Sequence, residues 1–379
     1  MGVVELVAAT RGERPQYIDR IFVGYDYKVF WRASVRLGQG ESPYSVDQYV
    51  TPPVPALVNY PLALLGFRTA VLVVLPAILI AVVGAYGLMS SAFLGLRTQE
   101  GKVVLFCGLV VILCSYPFHF LFDRGNIDGF VLLLTCIALV LVGRRDVAAG
   151  FFLAMAIAFK VYPTLLVAPL AVQRRFRTLG ATAAFLVLFV LATPGLWMDY
   201  APRVVRRGTG YQQAENGSIV STFVLAAKGL EEVGLDTRNK IWQRVGLATY
   251  VALLGLCLWA DWRARRRGST EDLLVSLSMY LPFMVAVPAV VFHYEFVVLL
   301  PLIPLSCRLW RERADGRERW APMLIAVGVA MSQSQAYAME RLAGVMAPRC
   351  IPGVGLVLVM VGCMWHKMAG RLGPNPASA

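Results

Sequence analysis

The sequence predicts an all-α, polytopic membrane protein of about ten or eleven transmembrane helices, with one short broken-helix hairpin among them. Three observations carry that expectation. Hydrophobic residues make up 58% of the 379-residue chain, and the mean hydropathy is +0.63, well above a soluble domain's mix. Apolar runs near the length of a bilayer crossing recur along the chain,. Basic residues cluster in the short links between those runs, at Arg144-Arg145, Arg174-Arg175-Phe176-Arg177, Arg263 to Arg267 and Arg308 to Arg319.

Met1–Gly24 lacks a continuous apolar core, so no cleavable signal peptide is expected,. In 27–36 the apolar Tyr27, Phe30, Trp31 and Val35 share one helical face, and Lys28, Arg32 and Arg36 share another,. That is the pattern of a helix lying on the membrane surface. Ser42-Pro43-Tyr44 and Pro52-Pro53-Val54-Pro55 mark loops after it,. Spans are expected at about 69–94, 103–120, 129–143, 178–198, 241–262, 273–292, 294–310, 320–338 and 349–365.

Val147–Val172 is different. Arg144-Arg145 and Arg174-Arg175 bound it, and both clusters favour the cytoplasm,. Lys160 and Pro163 interrupt it midway. Two half-helices that dip in and return satisfy both ends, and such broken helices are tolerated where they line a cavity. The chain then divides into an N-terminal extracytoplasmic segment (1–68), a transmembrane domain (69–367) with an outer loop at 199–240, and a disordered tail (368–379).

The formal charge of +13 sits largely in those loops, so nucleic acid is not an expected partner. Outer positive charge gathers in 1–68 and 199–244, where lipid phosphate can be bound. All seven cysteines lie in or beside apolar runs without metal-like spacing and read as small hydrophobes,.

Few polar groups can carry chemistry. Asp26 precedes the amphipathic helix; it either caps that helix or takes a proton from a hydroxyl at the membrane surface. His293, followed by Tyr294 and Glu295, sits at an outer span end, where ionisable residues are costly and often functional. Its alternative is a histidine bonded to backbone, and Glu295 is placed to orient it. Asp123-Arg124-Gly125-Asn126-Ile127-Asp128 is either a solvated turn or a loop whose arginine grips phosphate. Lys160 either snorkels to the interface or counters a buried anion. The outer loop carries Arg203, Arg206 and Arg207, and Asn216-Gly217-Ser218 fits a glycosylation acceptor,. There is no P-loop, no dinucleotide-binding glycine motif and no metal-spaced His/Cys set.

Taken together, several segments resemble glycosyltransferase family 87, within the membrane-embedded C-type superfamily. They are Asp26 with Gly40-Glu41-Ser42-Pro43-Tyr44, Pro52-Pro53 with Tyr60-Pro61-Leu62, and Arg124-Gly125-Asn126. Gly150 to Pro163, ending in Phe159-Lys160-Val161-Tyr162-Pro163, is the best match. Asn216-Gly217-Ser218-Ile219 and Phe292-His293-Tyr294-Glu295 complete the set. The resemblance covers about residues 26–310.

The resemblance implies a polyprenyl-phosphate-sugar donor, with mannose the expected sugar, and a lipid or glycan acceptor. It implies an extracytoplasmic site in a bacterial inner membrane, where membrane lipids are further partners. It makes Asp26 the base and brings His293 into the same site. Arg124, Asn126, Lys160, Arg206, Arg207, Asn216, Tyr294 and Glu295 become the expected substrate contacts. The departing phosphate is a stable anion, so neither metal nor other cofactor is expected. Such enzymes normally have a span before the catalytic loop, and Met1–Gly24 is too polar to be one. The competing expectations are a transporter or flippase of lipid-linked intermediates and a structural subunit of an envelope-synthesis complex. A flippase has no use for a lone base, and no internal repeat is visible.

Overall fold

The computed structural model describes residues 23–206, 222–224, 239–264, 270–286, 293–312, 319–333 and 351–369. Its regular elements there are helical. Helix α1 (Tyr25–Gly38) buries Tyr27, Phe30, Ala33 and Ser34 and leaves Arg32 and Arg36 exposed, as its amphipathic pattern requires. Short helices α2 (Val54–Val58) and α3 (Tyr60–Ala63) lead to α4 (Phe67–Leu94). Next come α5 (Gln99–Cys114) and α6 (Tyr116–Arg124), which meet at a 60° bend, and α7 (Asp128–Leu141).

The hairpin region begins with α8 (Asp146–Phe159) and breaks at Lys160, which is extended (φ −146°, ψ 141°). A 3₁₀ helix (Tyr162–Leu166) and α9 (Val167–Val172) follow. The two ends of this region meet. Asp146 Oδ1 accepts from Thr178 Oγ1 at 2.8 Å, and Gly143 lies against Arg175. Both arginine clusters therefore occupy one end of the bundle, as a returning hairpin demands.

Beyond it, α10 (Phe176–Ala192) turns through 98° into α11 (Pro194–Arg206). The remainder comprises α12 (Asn239–Ala264), α13 (Thr270–Ser278), α14 (Leu281–Ala286), a 3₁₀ helix (His293–Leu299), α15 (Leu302–Glu312), α16 (Trp320–Ser332) and α17 (Ile351–Ala369).

Among the described residues three helices are long and apolar enough to cross a membrane: α4, α12 and α17. Counting each bent pair as one span brings the number to five, and five shorter apolar helices accompany them. The run expected as one span at 294–310 is instead the 3₁₀ helix His293–Leu299 followed by α15, and the described part of the run expected at 273–292 is interrupted between α13 and α14.

A buried polar cluster ties α17 to the arginine-rich end. Lys367 Nζ donates to both Asp261 oxygens at 2.7 Å and to Ser276 Oγ at 2.8 Å. Gln173, just ahead of Arg174, donates to the same Ser276.

Candidate active site

The site grows from a close crossing of α1 and α6. Gly24 takes a left-handed conformation (φ 84°), and its N–H donates to the Asp123 carbonyl at 2.6 Å. Gly125 ends α6 with φ 64°, and a Cβ there would come within 2.9 Å of Tyr27 Cβ. Glycine at both positions lets the two segments touch without strain. The contact sets Asp26 beside the link that joins α6 to α7.

Asp26 does not cap its helix. The helix starts at Tyr25 with Gly24 as N-cap, and Asp26 lies inside the first turn. Its Oδ1 accepts from Arg124 Nη1 at 3.2 Å and its Oδ2 from Asn126 Nδ2 at 2.8 Å. Arg124 is held over the rings of Phe120 and Tyr25, at 4.7 and 5.2 Å from their centroids, so its planar head is oriented before any ligand arrives.

Asn126 faces two ways. While its amide nitrogen serves Asp26, its Oδ1 accepts from the Asp128 backbone N–H at 3.2 Å. Asp128 is fully buried and accepts from Lys160 Nζ at 2.6 Å and Tyr162 OH at 2.8 Å. Lys160 Nζ also reaches Glu295 Oε1 at 3.3 Å. Lys160 thus counters buried anions. Glu295 lies outside the spanning helices, on the 3₁₀ helix that packs against α6 and α7. Burial pushes its carboxyl up to about 7, against the pull of Lys160 and with a further push from Asp128,.

These groups line one cavity of about 470 Å³ together with Tyr25, Tyr49, Tyr162, Tyr200 and the loop at Gln48–Pro52; Asp128 supports them from behind. That volume is in the range of small-molecule sites. Tyr49 OH donates to the Pro52 carbonyl at 2.8 Å and Tyr44 OH to Thr51 at 3.0 Å, which fixes the loop. Ser42 Oγ donates to Asp199 Oδ2 at 2.6 Å, which ties α11 across the outer wall. Phe30 separates this cavity from an apolar groove of about 270 Å³, whose lining includes Val58, Leu62, Val73, Phe130 and Phe159.

Asp26, Arg124, Asn126, Lys160 and Glu295, scattered over 270 positions of sequence, therefore meet in one place. His293 and Tyr294 lie on the 3₁₀ helix with Glu295, but their side chains fall outside the described residues, and the partner described for Glu295 is Lys160. Arg206 closes α11, again with its side chain outside the described set. Arg207 and Asn216 lie outside the described residues altogether.

Sequence reasoning gave no role to Asp128, Tyr162 or Tyr200. A signal for Asp128 existed: an acid opening an apolar helix, with a lysine at the next break in the chain, must be paired to be tolerated.

The family model described as glycosyltransferase family 87 matches residues 49–288. A polyprenol-phosphate-mannose-dependent alpha-(1-2)-phosphatidylinositol mannoside mannosyltransferase of Mycolicibacterium smegmatis (strain ATCC 700084 / mc(2)155) is 29% identical over 229 residues, which cover 57% of this chain and 49% of the relative. The chain thus spans about half the length of that relative. Asp26 precedes the matched region, and its contacts with Arg124 and Asn126 join it to that region. Because the match takes in more than half of its length, this multi-pass chain belongs to glycosyltransferase family 87.

Proposed function

We propose that the cavity moves a mannosyl group from a polyprenyl phosphate to a hydroxyl of a glycolipid or glycan, with inversion and with Asp26 as general base. The observation that carries this is the Asp26 carboxylate itself, held at both oxygens yet on the wall of a cavity of fitting size. Each carboxylate oxygen has a second lone pair, so Asp26 can accept an acceptor hydroxyl's proton without releasing Arg124 or Asn126.

The hydroxyl oxygen then attacks the anomeric carbon, and the bond to phosphate oxygen breaks with its electron pair leaving on the phosphate. A single displacement inverts the centre through an oxocarbenium-like state. Arg124 and Lys160 are already paired with carboxylates, which leaves one of the arginines at positions 203, 206 and 207 as the cation for the leaving anion. The apolar groove behind Phe30 suits the lipid tail. The donor named for the mycobacterial relative supports the choice of mannose and polyprenyl phosphate.

We place the site on the extracytoplasmic face of a bacterial inner membrane, and the length of α7 supports the choice of side. Asp128 and Leu141 stand at opposite ends of α7, about 20 Å apart at the rise of an α-helix. The cavity thus lies across the bundle from the clustered arginines, which favour the cytoplasm.

The test is sugar transfer in membranes containing the wild-type chain or Asp26→Asn, with labelled polyprenyl-phosphate-mannose and native lipid acceptors. Loss of a general base lowers the rate by roughly 10²–10⁴-fold at unchanged expression. Transfer that survives in the variant removes Asp26 from the mechanism. Silence from both proteins removes the donor.

A further inference from the structure

Glu295 is a carboxylate of the cavity lining that the proposed mechanism leaves without a task. It is 5% exposed, yet it lines the cavity that holds Asp26. One oxygen, Oε1, accepts from Lys160 at 3.3 Å; the other, Oε2, is buried and has no hydrogen-bond partner among the described residues. Lys160 is committed more closely to Asp128, at 2.6 Å. A buried carboxylate oxygen left without a donor is costly, and on a residue that lines a cavity the missing donor is supplied most directly by a ligand entering that cavity.

The chemistry of that ligand can be narrowed. An anion is disfavoured, because Glu295 and Asp128 already share a single lysine. The phosphate of a lipid-linked sugar therefore belongs elsewhere in the cavity. A neutral group rich in O–H donors fits, which is what a hexose ring offers. Asp26, the other carboxylate on the wall, already has a hydroxyl assigned to it, that of the acceptor. We infer that Glu295 is a sugar-binding residue whose free oxygen accepts a hydrogen bond from a ring hydroxyl of the transferred hexose and so selects among hexoses. This rests on the donor chemistry proposed above.

The raised carboxyl is compatible with that task. When protonated it still offers an acceptor, and it gains an O–H to give to a sugar oxygen.

The experiment pairs substrate deletion with residue deletion. Wild-type chain, Glu295→Gln and Glu295→Ala in membranes receive polyprenyl-phosphate-mannose or its 2-, 3-, 4- and 6-deoxy analogues, and kcat/KM is measured for each. One deoxy donor is expected to be slower than mannose by about 10- to 100-fold with wild type, since a charged hydrogen bond is lost. That penalty should shrink in Glu295→Gln and vanish in Glu295→Ala, while the other penalties persist. A merely structural glutamate would slow every donor by the same factor, and equal penalties in all three proteins overturn the assignment. Glu295→Gln keeps the test valid if the alanine variant does not accumulate. Failure of wild type to use the mannose donor at all overturns the donor chemistry itself and this assignment with it.

Discussion

Asn126 provides the sharpest test of how Asp26 is held. Asn126→Asp changes one NH₂ group to oxygen with almost no change in shape. The Oδ1 that accepts from Asp128 N–H is retained. The donor that meets Asp26 Oδ2 at 2.8 Å becomes an acceptor, so two carboxylates face each other at hydrogen-bond distance. Unit charges centred about 4 Å apart repel by about 4 kcal/mol at an effective dielectric of 20. The Asp26 side chain is 18% exposed, and solvent screening reduces this to about 2–3 kcal/mol. The pair relieves the repulsion by sharing one proton at neutral pH.

If Asp26 must be ionised to accept the acceptor's proton, that energy appears as lost transfer. The expected fall in kcat/KM at pH 7 is roughly two orders of magnitude, recovering as pH rises and the shared proton is released. Asn126→Ala is the control. It removes the donor without adding charge, so its loss should be smaller and should not recover in alkali. Both are read by initial rates of transfer in membranes between pH 6 and 9. A wild-type rate and pH profile for Asn126→Asp would refute the claim that an ionised carboxylate beside residue 126 does the chemistry.

Two other predictions follow from neighbouring groups. Gly125→Ala puts an L side chain at φ 64° with its Cβ 2.9 Å from Tyr27 Cβ; about 1–3 kcal/mol of stability is lost, and transfer falls because the link bearing Arg124 and Asn126 moves. A wild-type thermal midpoint for that variant would show that the crossing is looser than described. For Glu295 the sign is set by its raised carboxyl, near 7 in the folded chain against an ordinary 4.5, with Lys160 and Asp128 facing it. The folded state binds that proton more tightly, so this contribution to stability is full below about 4.5 and lost as pH rises through 7. The thermal midpoint of wild type should drop across that window by more than that of Glu295→Gln, and parallel curves would contradict the assignment.

Much of the fold was legible because charge and hydropathy are local properties. The break at Lys160 and the return of the hairpin followed from two arginine clusters that both seek one side. The bends were harder to read. A window of mean hydropathy runs straight through Ser115-Tyr116-Pro117 and Thr193-Pro194, yet the chain turns there by 60° and 98°. Pro76, by contrast, sits within the unbroken α4. Proline alone does not decide. At Ser115 the side chain accepts from the Phe118 N–H and starts a new helix, so a cap and a proline act together.

The candidate site shows the same division. Asp26, Arg124, Asn126, Lys160 and Glu295 stand out as polar residues in an apolar chain. Which of them meet depends on the crossing of α1 with α6 and on a 3₁₀ helix where a straight span was expected. Asp128 was missed because a polar turn and the buried anchor of a lysine look alike within the loop itself; only its pairing with the distant Lys160 tells them apart.

The pairing of charges constrains where a lipid phosphate can rest. Among the described residues at the cavity, Asp26, Asp128 and Glu295 face two cations, Arg124 and Lys160. Both cations are already engaged, so an entering phosphate finds no spare positive charge on that wall. Tyr200 lines the cavity from α11, and the same helix carries Arg203 and Arg206 three and six positions further on, close to one face at helical spacing. A hydrogen bond from Ser42 to Asp199 fixes that helix to the loop over the site. The proposed donor is therefore best accommodated with its phosphate toward α11 and its sugar toward Asp26 and Glu295. In that orientation the carboxylates meet hydroxyls and the anion is kept apart from them.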